Sequence, residues 1–164
     1  IFVLVNTYNI VKILLDRRTK LIPDEIRDLY EGIFNTLTTS EFLYFWNMGT
    51  IRSVTDDYFI RSGETQNNLL LVLSGQADVE VNKNPIAHLN RGAFIAEISF
   101  LTGEQASADV HANGEVIFIS WRSERLKKMR HENPNFWMKL QHSLSEDLIK
   151  KIKPQAKRES QLEG

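Results

Sequence analysis

The sequence predicts an α+β fold that is mostly β: an antiparallel, jelly-roll-like β-roll flanked by N-terminal helices and two C-terminal helices. Three observations predict it. Short strand-like runs separated by glycine and asparagine turns fill residues 50–122. Segments with helical spacing of apolar residues lie on both sides of these runs. The 164-residue chain is 42% hydrophobic, which is enough to bury the core of one domain.

The first segment, residues 1–20, joins an apolar run to a basic cluster that ends at Lys20. The apolar run is shorter than the about 20 residues that a membrane-spanning helix needs. Two interpretations stay open from this segment. It is the end of a membrane helix with the basic cluster on the cytoplasmic side, or it is a juxtamembrane or amphipathic helix that packs on the domain or on another copy. It is not a signal peptide, because its charges follow the apolar run.

Residues 21–49 are predicted to form the N-terminal helices. Pro23 suits a first helical position and is followed by acidic residues, which favour a helix start. A second helix is expected around "TTSEFLYFWNMG", with Ser40 or Thr39 as its cap and Gly49 at its end.

Residues 50–122 are predicted to form the β-roll. The run "ADVEV" alternates apolar and polar residues, as a half-exposed strand does, whereas "LLLVL" is continuously apolar and predicts a strand buried on both faces. Glycines 63, 75 and 114 are expected to separate short strands. A long loop, residues 92–110, interrupts the roll between two strands, and long loops inside compact domains are usually functional.

Residues 123–153 are predicted to form the C-terminal helices. Ser123 is the expected cap of the first, and Asn133 caps the second with Pro134 at its first position. Pro154 is expected to end the second helix and to begin a flexible tail, residues 154–164.

The second C-terminal helix carries an apolar residue at every fourth position, which makes one apolar stripe. We expect this stripe to serve as the interface of a homodimer, formed by Phe136, Leu140, Leu144 and Leu148.

Charge and composition argue against several classes of function. The formal net charge of −1 gives no overall field that attracts nucleic acid, and too few residues follow the last helix for a DNA-reading module. There is no cysteine, no H-x-H pair and no supported set of catalytic residues. We therefore expect no enzyme, no catalytic residue and no metal site.

The stretch "GAFIAEISFLTGEQASADV", Gly92–Val110, resembles the phosphate-binding cassette of cyclic nucleotide-binding domains, which reads roughly G-x-x-F-G-E-(I/L)-S-L-L-T-G-E-P-R-S-A-T-V. We call this stretch the cassette loop. The resemblance implies a β-roll of the cyclic nucleotide-binding type, and it implies cAMP or another cyclic nucleotide as a possible ligand.

The resemblance also assigns roles to residues. Glu97 would accept a hydrogen bond from the ribose 2′-OH, and the short helix expected in the loop would face the phosphate. Two positions depart from the family pattern: Ala96 replaces a glycine, and Ala106 replaces the arginine that neutralises the phosphate. The candidate ligand-binding residues are Glu97, Ile98, Ser99, Phe100, Ala106 and Ser107.

Three further stretches resemble Popeye-domain proteins: "VIFISWRSERL", "LYEGIF" and "NIVKILLDRR". That resemblance implies a divergent, bacterial member that is anchored in the membrane with its domain on the cytoplasmic side. The Popeye ligand motifs themselves are missing. F-I-D-S-P-E-F is replaced by residues 94–100, "FIAEISF", and F-Q-V-T by residues 106–109, "ASAD".

Two hypotheses about function follow. In the first, the chain is the regulatory cytosolic domain of a membrane-anchored protein, which senses cAMP or another small anionic ligand and relays it to the C-terminal helices. In the second, the pocket is vestigial and the domain is a scaffold or dimerisation module. A homodimer is expected in both.

Overall fold

In the computed structural model, the backbone is described for residues 22–162 and the side chains for residues 22–149. The predicted membrane or juxtamembrane helix of residues 1–20 lies outside this range. Within it, no helix is long and apolar enough to cross a membrane.

The described chain confirms the predicted fold class, an antiparallel β-roll with helices on either side of it in sequence. The helices are α1 Asp24–Gly32, α2 Thr39–Met48, α3 Glu97–Thr102, α4 Ser123–Glu132 and α5 Pro134–Leu162. The strands are β1 Thr50–Thr55, β2 Tyr58–Ile60, β3 Asn68–Val81, β4 Asn84–Leu89, β5 Phe94–Ile95 and β6 Asp109–Arg122.

The two long strands, β3 and β6, form the spine of the roll. They pair with each other along their length. Near one end they carry β1 and β5, and near the other end they carry β2 and β4. Gly75 and Gly114 were expected to end strands, but each lies inside a long one. Both have positive φ, so they bend a continuous strand where the pairing register shifts, and the bend folds the sheet into a roll.

The spine separates two cores. Leu69 and Leu71 of β3 face the helices, whereas Leu70 and Val72 face the inside of the roll. We call these the helix-side core and the roll core. All four residues are buried, so the prediction from "LLLVL" of a strand buried on both faces is confirmed.

An aromatic cluster joins the helices to the spine. Trp121 of β6 stacks on Phe45 of α2, with ring centroids 4.4 Å apart and planes at 10°. The indole Nε1 of Trp121 donates to the carbonyl oxygen of Phe45 at 2.8 Å. The stack therefore buries a large apolar area and satisfies the one polar atom of the indole.

Helix α2 begins one or two residues earlier than the expected caps, Thr39 or Ser40, would place it. Thr38 is its cap, because Glu41 accepts from the Thr38 N–H at 2.8 Å and the Thr38 hydroxyl accepts from the Glu41 N–H at 3.2 Å. This reciprocal capping box satisfies two backbone N–H groups. Neither Thr39 nor Ser40 has a Glu or Gln three residues later, so neither can form such a box. Gly49 ends the helix, as predicted.

The cap of α4 also differs from the prediction, since Ser123 is the first helical residue and the cap position is Arg122 without a side-chain bond. Asn133 does cap α5, because its Oδ1 accepts from the Phe136 N–H at 3.1 Å.

The predicted dimer stripe on α5 is wrong for three of its four residues. Phe136, Leu140 and Leu144 are 2%, 0% and 0% exposed and belong to the helix-side core of the same chain. They are not available to a second copy, because α5 uses this face to cover its own domain. Leu148 is half-buried and lies beside a cavity.

Helix α5 does not end at Pro154 but continues to Leu162. A proline inside a helix removes one N–H bond, at a cost of about 3 kcal/mol, but it does not by itself stop the helix. The following residues, "QAKRESQL", are mostly strong helix formers. The prediction of a flexible tail gives their helix propensity too little weight.

The bend at Gly75 gives a direct test of the spine. A Cβ at Gly75 would collide with the backbone carbonyl oxygen of Glu115, whereas a Cβ at Gly63, which also has positive φ, would meet nothing within 4 Å. We expect Gly63→Ala to cost about 1 kcal/mol of unfolding free energy and Gly75→Ala at least about twice that. Urea denaturation of both variants measures the difference. Equal losses would mean that the strands do not approach closely at this bend.

Candidate functional site

A cavity of about 1000 Å³ opens on one side of the roll. Most of its lining residues come from three parts of the chain: β4 and the turn after it, the cassette loop, and two residues of α5. Apolar side chains from the roll form much of its wall, among them Ile60, Val79, Leu89 and Val110.

Pairing with β3 fixes the cassette loop to the roll. Phe94 and Ile95 of β5 pair with Leu71 and Leu70. The next residue, Ala96, has a left-handed backbone (φ 53°, ψ 36°), and α3 begins directly after it. The sharp turn at Ala96 therefore aims the first residue of α3, Glu97, toward the cavity wall.

Glu97 is 5% exposed and lines the cavity. Ile98 also lines it and is half exposed to solvent. Phe100 does not line the cavity, because its ring packs against the helix-side core on the other side of α3. The helical turn thus directs Phe100, which the sequence predicts as a ligand contact, away from Glu97.

Ser99 lines the cavity but holds the loop together. Its hydroxyl accepts from the Gln66 N–H at 2.9 Å and donates to the carbonyl oxygen of Glu104 at 2.6 Å. A hydroxyl has one hydrogen to donate. In this arrangement Ser99 joins α3 both to Glu104, later in the cassette loop, and to the segment before β3, and its hydrogen is not offered to a ligand.

Ala106 stands on the cavity wall and packs against the roll core. Its backbone N–H donates to Glu64 O at 2.7 Å, and its carbonyl accepts from the Gly63 N–H at 2.8 Å. Nearby, Asp109 accepts from the Ser62 N–H at 2.6 Å. Ser107 is exposed at the cavity rim. Hydrogen bonds that involve the backbone of Ala106 and the carboxylate of Asp109 thus connect the end of the loop to the turn after β2.

Arg91 also lines the cavity, although no sequence motif indicates a role for it. Its guanidinium forms a bidentate pair with Asp28 of α1, both contacts at 2.8 Å, and also donates to the carbonyl oxygens of Leu73 and Glu25. Hydrogen bonding with Arg91 lowers the pKa of Asp28 and raises that of Arg91 itself. Arg91 therefore anchors α1 to the roll. No local pattern reveals this, because Asp28 lies 63 positions earlier in the chain.

Asp147 and Leu148 of α5 also line the cavity, and both are half-buried. The sequence predicts Leu148 in the homodimer interface, and no sequence motif indicates Asp147. The position of α5 over the cavity follows from the burial of its apolar face, Phe136 to Leu144, in the helix-side core. That packing is a tertiary property, which helical spacing alone does not reveal.

Comparisons with known proteins agree with this geometry. A family model described as "Cyclic nucleotide-binding domain" matches residues 50–133, just over half of the 164-residue chain. The chain belongs to this family.

One curated relative is the Pycsar effector protein BcPycTIR of Burkholderia cepacia, which is 28% identical over 96 residues. The match covers 58% of this chain and 32% of that protein, so the chain spans about a third of the length of this relative.

Two solved structures have the same fold. A cyclic nucleotide-binding domain from Methylobacillus flagellatus has a TM-score of 0.70 and 22% identity, over 81% of this chain and 83% of that one. The regulatory subunit of a cAMP-independent protein kinase A from Trypanosoma brucei has a TM-score of 0.58 and 21% identity, over 77% and 44%.

The left-handed residue before α3 provides a test of the loop geometry. An alanine in this region is strained by about 1 kcal/mol, and a glycine is not. We expect Ala96→Gly to raise the unfolding free energy by about 0.5–1 kcal/mol and the thermal midpoint by about 2–5 °C.

Ala93→Gly is the matched control for Ala96→Gly, because both alanines are half-buried against the roll core but Ala93 does not have a positive φ. The control should lower the unfolding free energy by about 0.5–1 kcal/mol, since glycine adds chain entropy to the unfolded state. A loss of stability in both variants would contradict the left-handed turn.

Proposed function

We propose that this chain is a regulatory, ligand-sensing domain whose cavity takes a small ribose-bearing molecule of the cyclic nucleotide class. One observation carries the proposal: Asp147 and Leu148 of α5 line the same cavity as Glu97 and Ala106 of the cassette loop. A ligand in this cavity contacts both the loop and the helix. Its binding energy then depends on where α5 lies, so binding shifts the helix toward the arrangement that binds more tightly.

Glu97 supports the ribose part of the proposal. Its carboxylate is buried at the cavity wall, and an ionised carboxylate only accepts hydrogen bonds. The hydroxyls of a ribose are suitable donors. The apolar wall provided by the roll core suits the flat, less polar face of a base.

The contacts of α5 support the relay. Lys139 of α5 contacts the Glu41 carboxylate of α2 at 2.9 Å, and the Thr36 hydroxyl lies 3.3 Å from that of Ser143. Leu140 and Leu144 pack in the helix-side core with the N-terminal helices. A shift of α5 at the cavity therefore changes its contacts with α2 and with the segment before it.

We extend the proposal to the whole protein as a Popeye-like, bacterial, membrane-anchored regulator that works as a homodimer with this domain on the cytoplasmic side. The support is the sequence resemblance in "VIFISWRSERL" and "LYEGIF", together with the apolar and basic segment of residues 1–20.

A scaffold with a vestigial pocket is the second candidate. It is favoured by the way the cassette loop is held without a ligand, through Ser99 and through the backbone of Ala106. Loss of the arginine at position 106 removes a charge-assisted contact that is worth about 1.5–3 kcal/mol. The cAMP-independent regulatory subunit from Trypanosoma brucei has the same fold, so the fold alone does not fix the ligand.

Calorimetry separates the two candidates. We expect cAMP or cGMP, or the corresponding nucleosides adenosine and guanosine, to give saturable binding to the full chain. Glu97→Ala should weaken that binding by about 10- to 100-fold, because a hydrogen bond to a buried carboxylate is lost.

Glu104→Ala is the matched control, since Glu104 is an exposed acid in the same loop and should leave affinity unchanged. If none of the four compounds binds at millimolar concentration to a folded chain, the sensor is excluded and the scaffold stands.

A further inference from the structure

We propose that the turn of residues 90–92, which we call the β4–β5 turn, couples the cavity to α1, with Arg91 as the positioning residue of this coupling. The inference rests on the proposed ligand-sensing function and adds a second route from the same site. The first route runs through α5 to α2, whereas this one runs through the β4–β5 turn to the first helix.

The β4–β5 turn is part of the cavity wall, since Asn90, Arg91 and Gly92 all line the cavity. Its backbone is joined to β3, because the Gly92 N–H donates to Val72 O at 2.9 Å and the Val72 N–H donates to Ala93 O at 3.0 Å. The Ala93 N–H also donates to Asn90 O at 2.9 Å, which closes the turn. A molecule in the cavity therefore lies against a short segment held by three backbone hydrogen bonds.

Helix α1 packs closely on the same turn. A Cβ at Gly92 would lie 3.2 Å from the Cδ1 of Ile33 and 3.5 Å from the Cδ2 of Leu29. Leu29 belongs to α1, and Ile33 is the residue that directly follows it. Groups packed at this distance do not move independently of one another. A displacement of the turn at the cavity is therefore felt by α1.

Arg91 adds a polar connection to this apolar contact. Its guanidinium forms a bidentate pair with Asp28 and donates to Glu25 O, both in α1, and its Nη1 donates to Leu73 O in β3 at 2.8 Å. A guanidinium is a rigid planar group, so these bonds fix α1, β3 and the turn relative to one another. Among the described residues that line the cavity, none belongs to α1. The turn is thus the contact through which α1 senses the cavity wall.

The coupling is reciprocal by thermodynamic linkage. The contacts of a bound molecule and the contacts of α1 both depend on the position of the β4–β5 turn, so each changes the free energy of the other by the same amount. In the chain, α1 follows residues 1–20, which the sequence predicts as a membrane or juxtamembrane helix. Coupling to α1 therefore gives the cavity an output toward the N-terminal part of the chain.

Asp28→Asn tests the coupling without a ligand. The substitution keeps the size of the side chain, removes the charge that Arg91 binds, and leaves the residues of the cavity wall unchanged. Residue-resolved amide hydrogen exchange should become severalfold faster at the hydrogen-bonded amides of the β4–β5 turn as well as in α1. The comparison is made after correction for any loss of global stability, which urea denaturation measures.

Asp24→Asn is the matched control. Asp24 is an exposed acid of the same helix, and it pairs with Arg27 of that helix at 2.6 Å. Because this pair does not involve the β4–β5 turn, the control should leave exchange in the turn unchanged.

Ligand affinity tests whether the coupling reaches the site. Asp28→Asn should weaken binding of whichever of cAMP, cGMP, adenosine or guanosine binds the full chain by about two- to fivefold, because a looser turn is a less preorganised wall. Asp28→Glu, which retains the carboxylate, and the Asp24→Asn control should each keep the affinity within about twofold of the unaltered chain.

The outcomes separate this inference from the proposed function. If Asp28→Asn leaves exchange in the turn unchanged, or leaves the affinity for a bound ligand within about twofold, the inference is overturned and the ligand sensor stands. If none of the four compounds binds at millimolar concentration, the sensor is overturned. Faster exchange in the turn then supports the coupling on its own, and unchanged exchange overturns the coupling as well.

Discussion

The pairing of β3 with β6 is the constraint on which the rest of the structure depends. Both strands are 14 residues long, and a bend at glycine within each folds the sheet into a roll. Their two faces divide the apolar residues between the helix-side core and the roll core. The same ladder pairs with β5, which lies in the cassette loop. Its helix-side face packs against the N-terminal helices and α5. Without this spine, loop and helix would not meet at one site.

The cassette loop contains a short helix after a left-handed residue, and it has Ala106 where the family pattern has arginine. Ser99 and the backbone of Ala106 hold the loop through hydrogen bonds to Gln66, Glu104 and the turn after β2. Arg91, the arginine nearest to the loop in sequence, is committed to α1. Glu97 remains buried at the wall. These features describe how the chain itself holds an acidic loop at this position.

The sequence predicts the secondary-structure elements better than it predicts which of them pack against each other. Turn residues and alternating apolar residues identify the β-roll, and Glu97, the acid of the cassette motif, lies on the cavity wall. The apolar stripe on α5 is visible in the sequence, but helical spacing does not show what covers it. The helix-side core of the same chain covers it. The bends at Gly75 and Gly114 looked like strand ends, since a glycine signal is the same for a turn and a bulge. Asp147 joins the site only through tertiary packing.

The central claim is that α5 is part of the ligand site and responds to it. Asp147 and Leu148 line the cavity, and Lys139 and Leu140 contact the N-terminal helices. Amide hydrogen exchange of the full chain measures this coupling directly. It is compared with and without a saturating concentration of whichever of cAMP, cGMP, adenosine or guanosine binds in calorimetry. We predict that exchange changes severalfold both in the cassette loop and in α5 between residues 134 and 149. Changes confined to the cassette loop, with α5 unaltered, would contradict the claim.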